Sequence, residues 1–233
     1  MRNAGEINAL IICLLLAASV VPIRGLTQGL LRQPGSCGLY FKNMGELKKQ
    51  LGEQVQFYRF HEGERIASIG AQCANWEAAF MTLCDSVDLY LEDIDSTSLN
   101  DSQVRSAWQY YSAMANAPIR TTTHVVIGND TTTLLPSNFF DKIIIINSFH
   151  EFNQQVRMLA DIRDKLKPGG RLEIDETLAR KSGELHIQCH KRIFTEEELI
   201  EIVEKTGFHY LEGLNMNFRA SVPVRKIFAF EKR

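Results

Sequence analysis

The stretch FDKIIIINSFHEF (residues 140–152) gives the clearest indication of the fold. It contains four consecutive isoleucines, and a strand that is apolar on both faces is typical of the centre of a parallel sheet. The apolar run ends at Asn147 and Ser148, and a helical pattern begins at residue 151. The stretch therefore predicts a buried central strand whose carboxyl end carries polar side chains.

Strands and helices alternate on both sides of this stretch. Strands are predicted at residues 65–70, 87–92, 123–127, 142–147, 171–175, 210–216 and 226–231, and helices at 45–60, 76–84, 102–115, 151–166 and 196–206. The alternation favours an α/β fold, a Rossmann-like, doubly wound and mostly parallel sheet of seven strands. No helix separates the last two strands, so we expect an antiparallel C-terminal edge hairpin.

The composition is that of an ordinary globular protein, with 233 residues of which 45% are hydrophobic and 23% charged. A net charge of −2 gives no basic surface for nucleic acid, so we expect no nucleic-acid partner. The five cysteines are odd in number and form no C-x-x-C pair, which argues against a disulfide framework and favours a reducing compartment. Nothing in the pattern indicates an oligomeric state.

Residues 1–43 form a separate N-terminal region that is signal-like or anchor-like. An apolar segment at 7–23 precedes a linker rich in Gly, Pro and Ser, and the main domain is predicted at 44–233. The apolar core is shorter than the roughly 18–20 residues of a confident membrane span. Positive charge is heavier after the segment, which would keep the domain on the cytoplasmic side. The prediction is a cytoplasmic protein with possible membrane association through residues 7–23, with export as the alternative.

Ligands of doubly wound sheets bind beyond the carboxyl ends of the strands, so the residues that follow each strand are candidate binding residues. For the first five strands these are Gly70, Ala71 and Gln72; Glu92, Asp93 and Ile94; Asp130 and Thr131; Asn147, Ser148 and His150; and Glu176.

The acidic residues after the second strand have the most informative spacing. Asp93 lies 23 positions after Gly70, near the spacing of about 20 residues at which an acid reaches a ribose diol. A carboxylate suits this task because it accepts two hydrogen bonds from neighbouring hydroxyl groups. The alternative interpretation is a solvated acidic turn after an edge strand.

The order of these features resembles the class I S-adenosylmethionine-dependent methyltransferases over roughly residues 55–233. The segments 140–152, LKPGGRLEIDE (166–176) and FTEEELIEIVEKTGFHYLE (194–212) are similar to the fourth strand and the C-terminal elements of that family. The family's acid and G-x-G-x-G turn align with Ser68, Gly70, Gln72 and Ala74. Only Gly70 retains the glycine.

The resemblance implies a cofactor, S-adenosyl-L-methionine, and methyl transfer to a small-molecule acceptor. It implies that Asp93, with Glu92 as a competitor, holds the ribose and that Asp130 lies near the adenine amine. The loop after the first strand, Asn147 and Ser148 would complete the cofactor site. His150 or Glu176 would handle a proton as catalytic groups, His150 having a side chain with a suitable pKa.

Three other interpretations remain beside this one. A nicotinamide dinucleotide would need G-x-G-x-x-G, which the chain lacks. A metal at His186, Cys189 and His190 is not predicted, because these residues have no partner pair elsewhere. In an extended segment, the neighbouring Cys189 and His190 would also point to opposite sides. The principal alternative is a non-catalytic protein that keeps the methyltransferase fold for binding or interaction, since Ser68, Gln72 and Ala74 depart from the family pattern.

Overall fold

The computed structural model describes residues 41–84, 86–216 and 224–233. The helices are α1 Met44–Tyr58, α2 Asn75–Met81, α3 Asp101–Ala115, α4 Gln155–Lys165 and α5 Glu196–Glu204. The strands are β1 Arg65–Ile69, β2 Asp88–Asp93, β3 Thr122–Ile127, β4 Phe140–Ile146, β5 Leu166–Thr177, β6 Phe208–Met216 and β7 Arg225–Lys232. A 3₁₀ helix, Phe149–Glu151, follows β4.

The seven strands form one sheet in the order β3-β2-β1-β4-β5-β7-β6. Strands β1 to β5 pair in parallel, whereas β7 pairs antiparallel with both β5 and β6. The predicted fold class, including the antiparallel C-terminal hairpin, is confirmed. The strand order reverses between β1 and β4, where doubly wound sheets bind ligands.

The four isoleucines of β4 explain the two hydrophobic cores. Ile144 and Ile146 belong to the cluster that α1, α2 and α3 cover, and Ile143 and Ile145 belong to the cluster that α4 and α5 cover. Successive side chains of a strand point to opposite faces, so an unbroken apolar run contributes to both cores. Phe41, which lies in the predicted linker, is also buried in the first of these clusters.

The largest difference from the predicted elements concerns the sequence KPGG at residues 167–170. We expected a turn there, but β5 begins at Leu166, which already pairs with Phe140. The register shifts between Phe140 and Lys142, so a bulge accommodates Pro168 and the left-handed Gly169. The prediction for α5 is confirmed, since Thr195 and Glu198 form a capping box.

The predicted localisation at a membrane is corrected. Within the described ranges, no helix is both long enough and apolar enough to cross a bilayer. The apolar segment at 7–23, on which the predicted localisation depended, lies outside the described residues. The cysteine count argued against a disulfide framework, and one cysteine of the described residues, Cys73, is disulfide-bonded. Cys189 is a free thiol.

Candidate functional site

A cavity of about 290 Å³ lies at the carboxyl ends of β1, β2 and β4. This volume is near the lower end of the roughly 300–1,000 Å³ that small-molecule sites occupy. Seven of the predicted cofactor residues line it: Gly70, Gln72, Glu92, Asp93, Ile94, Asp130 and Ser148. The fold therefore brings together residues that four different strand ends supply.

Gly70 follows β1 directly, with a left-handed backbone and little room for a side chain. Its φ is +73°, and a Cβ at this position would lie 2.5 Å from Oγ of Ser148. Ser148 holds this place because its hydroxyl donates a hydrogen bond to the carbonyl of Ile69, at 3.1 Å. The backbone of β1 thus comes into direct contact with the loop after β4, at the edge of the cavity.

The two other glycine positions of the family pattern keep the backbone shape without glycine. Gln72 has a φ of 45° and Ala74 a φ of 56°, both in the left-handed region. Residues other than glycine seldom adopt this conformation, which costs them about 1–2 kcal/mol. The turn therefore has the backbone that a glycine-rich loop would have, although two of its side chains are unusual for it.

Asp93 holds this turn in place. Its two carboxylate oxygens accept hydrogen bonds from the backbone N–H groups of Gln72 and Asp95, each at 2.9 Å. A carboxylate oxygen has two lone pairs, so each oxygen keeps capacity for a further hydrogen bond. Asp93 lies in the cavity wall with its carboxylate oriented by the loop.

Glu92 is a buried acid beside Asp93. Burial, with a smaller contribution from the charge of Asp93, raises the pKa of Glu92 to about 8. Its Oε1 atom is buried without a hydrogen-bond partner, and a Cβ on Gly128 would lie 2.0 Å from that atom. Gly128 therefore leaves room for the Glu92 carboxyl group, whose raised pKa favours the protonated form.

A carboxyl group stands beside Ser68, where the family pattern has an acid. It comes from Glu77 on α2, whose Oε1 accepts a hydrogen bond from the Ser68 hydroxyl at 2.5 Å. Burial raises the pKa of Glu77 to about 7. The chain thus replaces an acid on the strand by a serine and places an acid on the neighbouring helix.

The loop after β3 contributes Asp130 and Asn129 to the cavity. The Asn129 side chain accepts hydrogen bonds from the backbone of Thr131 and Thr132 and thereby shapes this loop. The hydroxyl of Thr131 also donates to Asn129. Thr131 was predicted to bind the cofactor, and the structure places it in this turn rather than in the wall of the cavity.

A second cavity of about 480 Å³ adjoins the first, and Gly70, Gln72 and Glu151 line both. Ala71 and Asn147, also predicted to bind the cofactor, lie in its wall, together with Glu77, His186, Cys189 and Arg225. Asn147 is fixed by the Thr177 hydroxyl, which donates to its side chain at 2.8 Å. The two cavities therefore share part of their walls at the β1 turn.

The predicted catalytic residues form a buried pair. Nδ1 of His150 lies 2.9 Å from Oε1 of Glu176, and both side chains are 0% exposed. Burial lowers the pKa of His150, but the hydrogen bond and charge of Glu176, with help from Cys189, raise it overall. The ring of His186, which lines the second cavity, lies 4.7 Å from that of His150.

Sequence reasoning missed several residues of the first cavity. They are Ile69, Asp95, Ser98, Asn129, Glu151, Phe152, Asn153 and Met158. Most lie within a few residues of a strand end, so a wider search after each strand would have found them. Met158 lies on α4, and only the packing of that helix on the sheet brings it to the cavity.

Comparison with known proteins supports a methyltransferase domain. Residues 78–174 match a family model described as a methyltransferase domain. The matched range begins after β1 and its turn, where the chain departs from the glycine pattern. A search of curated proteins finds no match to the sequence.

Solved structures of methyltransferases share the fold. A SAM-dependent methyltransferase from Aquifex aeolicus has a TM-score of 0.59 and 16% identity, covering 80% of this chain and 97% of that one. A Burkholderia thailandensis 1,6-didemethyltoxoflavin-N1-methyltransferase, with bound 1,6-didemethyltoxoflavin and S-adenosylhomocysteine, has a TM-score of 0.56 and 18% identity, covering 81% and 75%.

The [4+2]-cyclase SpnF is also similar, with a TM-score of 0.62, 18% identity and coverage of 85% of this chain and 89% of that one. At such identities the likeness shows the fold alone, and this fold includes a cyclase as well as methyltransferases. Residues 78–174 therefore match a methyltransferase-domain model, and the chain shares its fold with S-adenosylmethionine-dependent methyltransferases and with a cyclase.

Proposed function

We propose that the chain binds S-adenosylmethionine in the first cavity and transfers its methyl group to a small molecule held in the second. The observation that carries the proposal is that the two cavities share Gly70, Gln72 and Glu151. A cofactor on one side of the β1 turn and an acceptor on the other would meet at these residues. The Burkholderia thailandensis enzyme binds the small molecule 1,6-didemethyltoxoflavin together with S-adenosylhomocysteine, which supports a small-molecule acceptor.

The residues of the first cavity match the polar groups of the cofactor. Asp93 would accept hydrogen bonds from the ribose hydroxyls, and Asp130 would accept one from the adenine amine. The part of the first cavity beside Gly70 would hold the methionine part of S-adenosylmethionine, since Gly70 carries no side chain. Gln72 and Ala74 keep the turn in the shape that this contact requires.

Methyl transfer needs the acceptor's lone pair in line with the methyl carbon and the sulfur. Holding the two molecules in this geometry supplies most of the rate gain in such a reaction. An acceptor that loses a proton needs a base, and Glu151 is the partly exposed carboxylate that faces both cavities. His150 and Glu176, predicted as catalytic groups, are buried, and the ring of His150 contacts His186 in the wall of the second cavity.

Titration calorimetry on the full chain with S-adenosylmethionine and S-adenosylhomocysteine tests cofactor binding. We expect both to bind, and Asp93→Asn to weaken binding by about 1–3 kcal/mol through the lost hydrogen bonds. Asp93 also holds the turn, so Asp130→Asn is the second variant, and Asp101→Asn, at the start of α3 and outside both cavities, is the matched control. No heat with either ligand at millimolar concentration would overturn the proposal.

Turnover is tested by incubating the chain with S-adenosylmethionine and fractionated small-molecule extracts while measuring S-adenosylhomocysteine. We expect a fraction that raises product formation above the background without acceptor. Cofactor binding with no product in any fraction would favour the alternative of a non-catalytic binding protein. The departures at Ser68, Gln72 and Ala74 are the observations behind that alternative.

A further inference from the structure

Three potential metal ligands converge beside the second cavity. They are His150, in the 3₁₀ helix after β4, and His186 and Cys189, in the turn between β5 and α5. One ligand atom of each lies within 4.8 Å of the others. His–His–Cys is a donor set that zinc prefers.

His150 supplies the strongest evidence. Its side chain is 0% exposed, and its Nε2 atom is buried without a hydrogen-bond partner. Nδ1 lies 2.9 Å from Oε1 of the equally buried Glu176, so Nδ1 donates its proton to this carboxylate. Nε2 then carries a lone pair directed away from Glu176. Metal-binding histidines have this arrangement, in which a carboxylate fixes the ring and its tautomer.

The turn at residues 186–190 brings the other two ligands together. The backbone N–H of His190 donates to the carbonyl of His186, and Leu185 pairs with Arg192. Nδ1 of His186 lies 3.2 Å from Sγ of Cys189. Two ligands at about 2.0 Å and 2.3 Å from a tetrahedral zinc ion are separated by roughly 3.5 Å. The spacing needs only a small adjustment.

This geometry corrects the sequence-based argument against a metal. From the sequence we expected residues 186–190 to be extended, with no further ligand elsewhere in the chain. The segment is a turn, and the partner is His150, which lies 36 positions before His186 in sequence. His190, the third residue of the original candidate set, does not belong to the cluster.

We propose that His150, His186 and Cys189 bind one Zn²⁺ ion through Nε2, an imidazole nitrogen and a thiolate. Three protein ligands leave a fourth position open, as in catalytic rather than structural zinc sites. That position faces the second cavity, whose wall contains His186, Cys189 and Glu151. Oε1 of Glu151 lies 3.8 Å from Nε2 of His150. Glu151 is therefore near enough to compete with a water molecule for the fourth coordination position.

Metal content of the full chain tests the site without reference to methyl transfer. After purification with Zn²⁺ and dialysis against metal-free buffer, mass spectrometry should find one equivalent of zinc per chain. Cys189→Ser and His186→Ala should each lose most of it. The matched controls Cys84→Ser and His190→Asn should keep it. No retained zinc, or retention unchanged by the two ligand variants, would overturn the proposal.

Two further measurements separate a ligand from a structural residue. Co²⁺ should give a thiolate-to-cobalt absorption band that Cys189→Ser abolishes and Cys84→Ser keeps. Glu176→Gln keeps the shape of the pair but weakens its charge, and we expect it to reduce zinc affinity about 10–100-fold. An unchanged affinity would remove Glu176 from the site. Calorimetry with S-adenosylhomocysteine on the same samples shows separately whether the cofactor binds.

Discussion

At the scale of single residues, the turn after β1 shows that a backbone conformation can persist after its usual residue has gone. Gln72 and Ala74 occupy the left-handed region at two positions where the family pattern has glycine. Asp93 accepts a hydrogen bond from the backbone of Gln72, and this contact compensates part of the conformational cost. The turn is therefore held by its neighbours rather than by its own residue preferences.

This account predicts that Gln72→Gly stabilises the protein. Glycine adopts a φ of 45° without strain, and we expect the free energy of unfolding to rise by about 0.5–1 kcal/mol. Denaturant titration followed by circular dichroism measures this change. The control is Gln56→Gly in the exposed face of α1, which should lower the free energy of unfolding by about 1 kcal/mol. A loss of stability in Gln72→Gly would show that the turn is not strained.

At the scale of the elements, local sequence signals determined most of what could be predicted. The strand with four isoleucines and the helix predicted at 196–206 depend on neighbouring residues, and both elements are confirmed as β4 and α5. The strand through residues 167–170 could not be predicted, because pairing with Phe140 overrides the turn preference of proline and glycine.

The candidate site was also predictable only in part. Residues at strand ends were found because topology places strand ends together. His186 and Cys189 lie beside His150 because a turn packs against a 3₁₀ helix that is distant in sequence. The spacing of residues within a short segment cannot predict this contact. The left-handed backbone of Gln72 and Ala74 could not be predicted either, since neither residue type favours that conformation.

The capping box offers a direct test at this scale. The Thr195 hydroxyl accepts from the backbone of Glu198, and the Glu198 side chain accepts from the backbone of Thr195. We expect Thr195→Ala to lower the free energy of unfolding by about 0.5–2 kcal/mol, measured by denaturant titration. Thr195→Ser should retain most of the stability. Equal stability of the alanine variant and the parent chain would contradict the role of the cap.

At the scale of the whole molecule, the domain buries several acidic side chains, and they make the free energy of unfolding depend on pH. Burial raises the pKa of Glu173 to about 8, although Lys142 and Arg171 lower it, and the pKa of Glu92 and Glu77 is raised to about 8 and about 7. In the unfolded chain these groups release their protons near pH 4.5. Between these values the folded state holds protons that the unfolded state has lost, so stability falls as pH rises.

We therefore expect the free energy of unfolding to decrease between pH 5 and 8, as measured by thermal or denaturant unfolding at a series of pH values. Each unit of pKa difference corresponds to about 1.4 kcal/mol, so Glu173 alone would account for roughly 2–4 kcal/mol. Glu173→Gln should flatten the profile, whereas Glu53→Gln, at an exposed position of α1, should leave it unchanged. A profile that rises over this range would refute the assignment.

Gln72 has one more effect, which concerns chemistry rather than stability. Its side chain lies where the two cavities meet, at a position where glycine would offer only backbone. A carboxamide both donates and accepts hydrogen bonds, so it can select among molecules on either side of the turn. On the proposed function, Gln72 would give this chain a polar contact to its ligands that a glycine at the same position would lack.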